Sequence, residues 1–457
     1  MLSLRGRHST TLAIVLTALA VLYIGWKITQ SPEQALQFTF NGLAVGAVYA
    51  LLAMGFTLVY STVWFFDLYY GAAAALGAYG VFYLRSHDTL GGRYEVNEPI
   101  LNILFAVVTA GVVAWSFHTS FGYRLRSRLN TTAVRIVALL IGAAAGVYMG
   151  FVLSFPKDIH TVLSPAVGVL VAVAVVWVLH AIYRSVFPRV TTAPVLSLSK
   201  GPVLLVGAVA GVALGAYCAV AVSGSPDWGL YLTWGISCLL AGIVGLALYR
   251  GLYVYMRERA RSPLVMLVAT LGILLAITAF TTIIFQSAPR PLPDAFGSTP
   301  WKIAGANIKG FNVFTIAVAL VGFVFLLFLL KMTSFGKAVR AIGDDEEVSK
   351  VVGINTTVVI AVVFFIGAIY AAAAGVLSGH DTAIQPRMGL LLLLKGWIAS
   401  VVGGIGNMYG AIVGGFVLGL IEQFGIWDLA GEWKDAISFV LLILFLSFWP
   451  NGLLPRK

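Results

Sequence analysis

Charge is scarce in this chain. Asp, Glu, Lys and Arg make up 10% of its 457 residues and hydrophobic types 60%, with a mean hydropathy of +0.95. That composition excludes an ordinary soluble domain and a disordered chain alike. Cysteine is almost absent: Cys218 and Cys238 are the two in the sequence. Both fall in or beside apolar runs, without the paired spacing of a zinc or redox motif, and read as buried thiols. The chain also lacks a Gly-x-x-x-x-Gly-Lys-Ser/Thr loop to cradle nucleotide phosphates, a His-x-x-x-His pair and a Gly-x-Ser-x-Gly elbow. No catalytic residue, metal site or cofactor is expected, and any ATP hydrolysis must come from another subunit.

What the chain does have is a succession of apolar segments of roughly 17–25 residues, each long enough to cross a hydrocarbon core as a helix. Backbone groups in lipid must be satisfied internally, which favours helices. The runs are continuous and rich in Gly and Ala, unlike the alternating strands of an outer-membrane barrel. The expected fold is therefore all-α, a polytopic transmembrane bundle of about 12–14 segments. Spans are expected near 10–28, 38–60, 64–84, 100–117, 134–153, 165–183, 202–222, 230–254, 264–286, 311–331, 355–379 and 435–449. A Gly-broken pair at 390–402 and 408–424 reads as a re-entrant or broken hairpin. Its turn is Gly403-Gly404-Ile405-Gly406-Asn407, where glycine permits tight backbone. Met1–Arg7 with Leu12–Ile28 has the look of a signal peptide, but the run is long and no Ala-x-Ala site follows, so an uncleaved first span is expected.

The net charge of +11 comes mainly from short loops between spans and does not suggest nucleic acid. Alternating the loops from a cytoplasmic start gathers Arg5, Arg7, Arg124, Arg126, Arg128, Arg184, Arg189, Lys200, Arg257, Arg259, Arg261, the 332–354 loop, Arg456 and Lys457 on one side. That is the positive-inside pattern, with both termini cytoplasmic. The longer loop Ser287–Gly310, proline-rich and carrying Trp301, then lies outside, either as a docking surface or as a plain connection.

Charged groups inside spans are costly and so are functional candidates. Asp67, in Trp64-Phe-Phe-Asp-Leu-Tyr-Tyr-Gly71, is one, with Tyr70 beside it; helix capping is the plain alternative for Asp67. Lys395 interrupts a leucine run and Glu422 lies near the far end of the returning arm, so that the two can pair. Snorkelling to the interface is the plain alternative for Lys395. These four residues are the candidates for a translocation pathway. Small-residue spacings such as Gly42/Gly46 and Gly410/Gly414 imply close helix packing and no particular solute.

The polar island from Thr333 to Asn355 holds Glu347-Val348-Ser349 and, after three more residues, Gly353. That spacing is similar to the Glu-Ala-Ala-x-x-x-Gly signature of importer permeases driven by a separate ATPase. Three blocks extend the likeness: Phe40 to Tyr60; Gly336 to Asn355 with the run through Gly379; and Lys395 to Glu422, closed by Trp433–Val440 and Pro450-Asn-Gly452. With them the chain resembles the integral membrane permeases of the high-affinity branched-chain amino acid family of ABC importers, whose relatives also carry urea and short amides. It departs from the family at Asp67-Leu-Tyr-Tyr-Gly71, where Asn-Phe-Ala-His-Gly is usual.

The resemblance implies a division into an extra N-terminal span (1–37), a first part of the permease core (38–84), an inserted segment with about four extra spans (85–228) and a second part of the core (229–457) containing the coupling loop 332–354. It implies a bacterial inner-membrane location. The expected partners are two ATP-binding subunits, a second and different permease chain, a periplasmic or extracellular solute-binding protein, and membrane lipid. It further implies a helix at about 344–352 seated in a groove of the ATPase, with Asp344, Asp345, Glu346 and Glu347 as its acidic face and Gly353 turning the chain away. A channel or secondary carrier working without ATP is the alternative from another class, and would be expected to hold carboxylates near the midplane.

Overall fold

The computed structural model describes residues 22–85, 98–120, 130–154, 228–259, 263–292, 300–303, 305–449 and 452–454. The expected spans at 165–183 and 202–222, most of that at 10–28, Cys218, and the basic residues at 124–128, 184–189 and 456–457 lie outside the described residues. In chain order the helices are α1 (Pro32–Val63), α2 (Tyr69–Arg85), α3 (Glu98–Ser120), α4 (Thr131–Ser154), α5 (Trp228–Leu248), a π turn (Tyr249–Tyr253), α6 (Val254–Arg259) and α7 (Pro263–Phe285). A two-stranded hairpin, β1 (Trp301–Ile303) and β2 (Ala306–Ile308), precedes α8 (Gly310–Met332), α9 (Ser334–Asp344), α10 (Glu346–Val351), α11 (Thr356–Thr382), α12 (Met388–Gly403), α13 (Met408–Gly425) and α14 (Trp433–Phe448). Seven helices among the described residues are long and apolar enough to cross a membrane. The fold is an all-α membrane bundle, with the small hairpin as an addition that the sequence did not announce.

The chain forms two compact units, Met1–Phe82 with Ser237–Lys457, and Tyr83–Ile236. Within the second, α3 and α4 pack antiparallel through small residues. Cβ atoms at Gly142 and Gly146 would meet the carbonyls of Ala110 and Ala106 at 2.5 and 2.6 Å, an approach that only glycine allows.

The first unit is organised on α1. Proline in its first turn gives up an N–H that has no intrahelical partner there, and at its far end Trp64 takes a left-handed conformation with φ 55°. Between them α1 is apolar on every side, the pattern of a helix buried all round, and α8, α11, α12 and α13 all pack on it. The closest partner is α13, which runs antiparallel. A Cβ on Gly415 would lie 2.4 Å from the Ala50 nitrogen, and one on Gly419 2.3 Å from that of Gly46. By contrast only 17% of the apolar window of α8 is buried within this chain.

The two ends of α1 mark the two ends of this unit. At the Pro32 end lie the β hairpin, whose Gly305 (φ +85°) turns beside Glu33, and a bridge between Arg290 and Ile384. At the Val63 end the indole of Trp64 donates to the Gly343 carbonyl at 2.7 Å. There α9 buries Val339 and Ile342 and leaves Lys337 and Arg340 exposed, as a helix lying in an interface does.

The pair α12 and α13 enters and leaves at the Pro32 end. Its connection, Gly404–Asn407, reaches the other end, where Lys331 at the close of α8 bonds the Tyr409 hydroxyl. The strand-like segment 452–454 donates to the carbonyls of Val402 and Gly403, at 2.9 Å each. The arms therefore run the full depth of α8 as a broken helical hairpin, not partway as a re-entrant loop would.

Candidate functional site

The structure brings Lys395 and Glu422 together and adds three residues to them. Lys395, at the middle of α12, extends its ammonium to Glu422 Oε1 at 3.2 Å, to Asp435 Oδ1 at 2.9 Å and to the Tyr49 hydroxyl at 3.0 Å. Tyr49 in turn donates to Glu422 Oε2 at 2.7 Å, and the Ser438 hydroxyl donates to Glu422 Oε1. Four helices meet here: α1 supplies Tyr49, α12 Lys395, α13 Glu422, and the first turns of α14 Asp435 and Ser438. Asp435 and Ser438 are three apart and so share a helix face.

The two carboxylates differ in setting. The Glu422 side chain is fully buried, whereas 47% of that of Asp435 is exposed. A buried carboxylate needs both a countercharge and hydrogen-bond donors, and Glu422 has all three of its partners in place. Of the cluster, Tyr49, Lys395 and Asp435 line a cavity of about 200 Å³ and Glu422 and Ser438 do not; the lining also includes Asn312, Thr315, Asp381 and Lys434 among aliphatic residues of α1, α11 and α12. Sequence reasoning missed Tyr49, Asp435 and Ser438. Asp435 reads as an ordinary acidic residue of a first helical turn, and Tyr49 as one aromatic in an apolar run.

Asp67 and Tyr70 lie elsewhere. Asp67 sits in the connection between α1 and α2, not within a span, and is 1% exposed. Its Oδ1 accepts the Tyr69 N–H at 2.9 Å, capping α2, and the Tyr253 hydroxyl at 2.8 Å. Its Oδ2 and the Tyr70 hydroxyl have no partner among the described residues. Tyr70 is packed so closely on α11 that a Cβ on Gly367 would fall 1.5 Å from its oxygen. Neither residue lines the cavity at Lys395.

The polar island also folds differently from expectation. The helix expected within about 344–352 is α10, at 346–351, and the two residues before it fall outside it: Asp344 closes α9, and Asp345 is the extended N-cap of α10, its side chain accepting the Val348 N–H at 3.0 Å. Glu346 and Glu347 pair with Lys350 at 3.3 and 2.9 Å, and the hydrogen bond that Lys350 donates to Glu347 raises its pKa above the ordinary value. Gly353 adopts φ +92°. Its N–H bonds Lys350 O and that of Ile354 bonds Ser349 O, both at 3.0 Å, the two bonds of a Schellman helix end. The surface α10 exposes is mixed, with Val348 58%, Val351 87% and Val352 74% exposed beside Glu347. A second cavity, of about 280 Å³, lies between α10, the π turn and the start of α11.

The sequence profile described as "Branched-chain amino acid transport system / permease component" matches residues 190–446. The chain is 34% identical over 225 residues to the high-affinity branched-chain amino acid transport system permease protein LivH of Salmonella typhimurium, covering 48% of this chain and 72% of that one. It is 36% identical over 172 residues to BraD of Pseudomonas aeruginosa, of the same description, covering 37% and 56%. It is also 28% identical over 273 residues to the autoinducer 2 import system permease protein LsrC of Yersinia enterocolitica, covering 56% and 69%. No solved structure matches it.

Proposed function

We infer that the cavity beside Lys395 is the outer mouth of a translocation pathway, since the chain belongs to the branched-chain amino acid transport permease family and is the permease subunit of an ABC importer. The observation that carries this reading is the charged wall of the cavity, to which α1, α12 and α14 bring Tyr49, Lys395 and Asp435, with Glu422 bonded to Lys395 and Tyr49. Lys395, Asp435 and the buried Glu422 sit where the broken pair α12 and α13 meets the central helix. Charges placed beside discontinuous helices are the usual means by which transporters receive polar solutes.

The solute in this reading is a branched-chain amino acid or a related small polar molecule, handed over by a solute-binding protein at the Pro32 end. At the Val63 end, α10 docks on an ATPase through Val348, Val351, Val352 and Glu347, with Asp345 and Gly353 fixing its two ends. Asp344 and Glu346 flank that surface. Two ATPase subunits close on two permease chains, the second a different polypeptide, in the inner membrane of a bacterium with both termini cytoplasmic. The orphaned Asp67 Oδ2 and Tyr70 hydroxyl belong to the closed inner half of the path, where an opening movement would hydrate them. The compact unit Tyr83–Ile236 supports reading 85–228 as an insertion into a core made by 38–84 and 229–457, with 1–37 as an extra span.

The test is reconstitution of the permease with its co-purifying subunits in proteoliposomes. ATP-dependent leucine uptake that requires an ATPase and a binding protein is the expected result. Uptake driven by an ion gradient in the permease alone would refute it.

A further inference from the structure

We propose that Lys395 and Asp435 form the recognition site for the charged head of a zwitterionic solute with an aliphatic side chain. The solute carboxylate takes the place of Asp435 on Lys395, and the solute ammonium pairs with the Asp435 carboxylate so released. This deepens the outer-mouth reading and rests on it.

The geometry distinguishes a fixed partner of Lys395 from an exchangeable one. Glu422 is fully buried and held by hydroxyls from two other helices, so it stays with Lys395 whatever enters the cavity. Asp435 is half exposed, and its bond to Lys395 lies on the cavity wall. An ammonium has three donors; here they serve Glu422, Tyr49 and Asp435. Releasing Asp435 frees one donor, aimed at the cavity, without leaving Lys395 uncompensated.

The exchange sorts solutes by charge. A zwitterion breaks one ion pair and makes two. An amine makes one, through the second oxygen of Asp435, and breaks none. A lone carboxylate trades one pair for another and leaves Asp435 uncompensated beside it, with Glu422 close behind. Urea and simple amides gain no ion pair at all. The remaining charges on the cavity wall, Asp381 and Lys434, are one of each sign and do not bias this order. Aliphatic walls from Val48, Leu377, Leu391 and Leu392 suit an apolar side chain. The volume of about 200 Å³ falls below the ~300–1,000 Å³ of sites for drug-sized molecules and suits a small solute.

The experiment uses the complete importer, with Cys218 and Cys238 replaced by serine and Ser378→Cys as a reporter on the cavity wall. Its rate of modification by a methanethiosulfonate reagent is measured with leucine, leucinamide or isocaproate. Leucine and leucinamide, each with a net gain of one ion pair, should protect the reporter, and isocaproate, with none, should not. Asp435→Asn should raise the half-protecting leucine concentration by roughly tenfold or more, the loss that follows removal of a charge-assisted contact. Asp435→Glu should recover much of this, and Lys309→Met, outside the cavity, should behave as the parent. Equal protection by leucine and isocaproate, or undiminished protection in Asp435→Asn, overturns the proposal. Leucine uptake by an importer whose reporter is never protected refutes the site and leaves the importer reading intact; protection of the stated charge order without ATP-driven uptake does the reverse.

Discussion

Removing the charge of Lys395 should cost more stability than removing that of Glu422, and removing both should cost less than the sum. The Lys395 and Glu422 charges are 3.2 Å apart, which at an effective dielectric of roughly 20 corresponds to about 5 kcal/mol of attraction. The contact with Asp435 is closer, at 2.9 Å, but half in solvent, and is worth about 1 kcal/mol at most. Lys395→Met strands the Glu422 carboxylate in a fully buried site with two hydroxyl donors and no countercharge, a change expected to cost about 3–5 kcal/mol. Glu422→Gln keeps an acceptor for Tyr49 and leaves Lys395, 14% exposed, its contact with Asp435; the expected cost is about 1.5–3 kcal/mol. The double variant buries no charge in the cluster, so its cost should fall short of the sum by at least about 2 kcal/mol. Chemical unfolding of the purified permease in mixed micelles measures all four proteins on one scale. Costs that add within about 0.5 kcal/mol would show that the pair is not coupled and that Glu422 is neutral or solvated.

At the other end of the unit, Val351→Asp and Val352→Asp should each reduce co-purification of the ATPase at unchanged permease yield, because both side chains are exposed, at 87% and 74%, and touch little of their own chain; undiminished association would remove α10 from the interface. Charge reversal at Glu346 and Glu347 should weaken the same association mainly at low salt, since exposed pairs are screened. Gly353→Ala places a Cβ at φ +92°, a penalty of about 1–2 kcal/mol, and should lower ATP hydrolysis coupled to transport while insertion is unaffected. Gly419→Leu should abolish accumulation of the folded permease, as its Cβ alone would meet the Gly46 nitrogen at 2.3 Å; normal yield would mean that α1 and α13 are not in contact.

Much of this was legible in the sequence because membranes simplify the rules. Length and hydropathy announce the helices, and the glycines at 42 and 46 announce close packing, which the structure places between α1 and α13. Lys395 and Glu422 stood out because a charge among leucines is expensive, and the structure joins them across 27 residues of chain. What stayed hidden were groups that are unremarkable alone. Tyr49 acquires its role only when α12 is laid parallel to α1, and Asp435 only when the start of α14 is brought against the cavity. The four acidic residues from Asp344 to Glu347 look like one helical face, yet an Asp can cap a helix as readily as decorate one. The cap at Asp345 splits that face in two.

The central helix gives the two candidate regions a common support. Just past the middle of α1, Tyr49 bonds both Lys395 and Glu422. Deeper, Thr57 bonds Ser400 of α12 at 2.8 Å, and beyond the Val63 end Trp64 holds the Gly343 carbonyl of α9. Because α1 is buried on all sides and closely packed, a change in its tilt is easier than a change in its internal shape. A tilt that drew α9 with Trp64 would therefore also shift Tyr49 against the Lys395 cluster. The weak member of that cluster is the half-exposed contact with Asp435, so the first contact to yield would be the one that opens a donor of Lys395 to the cavity.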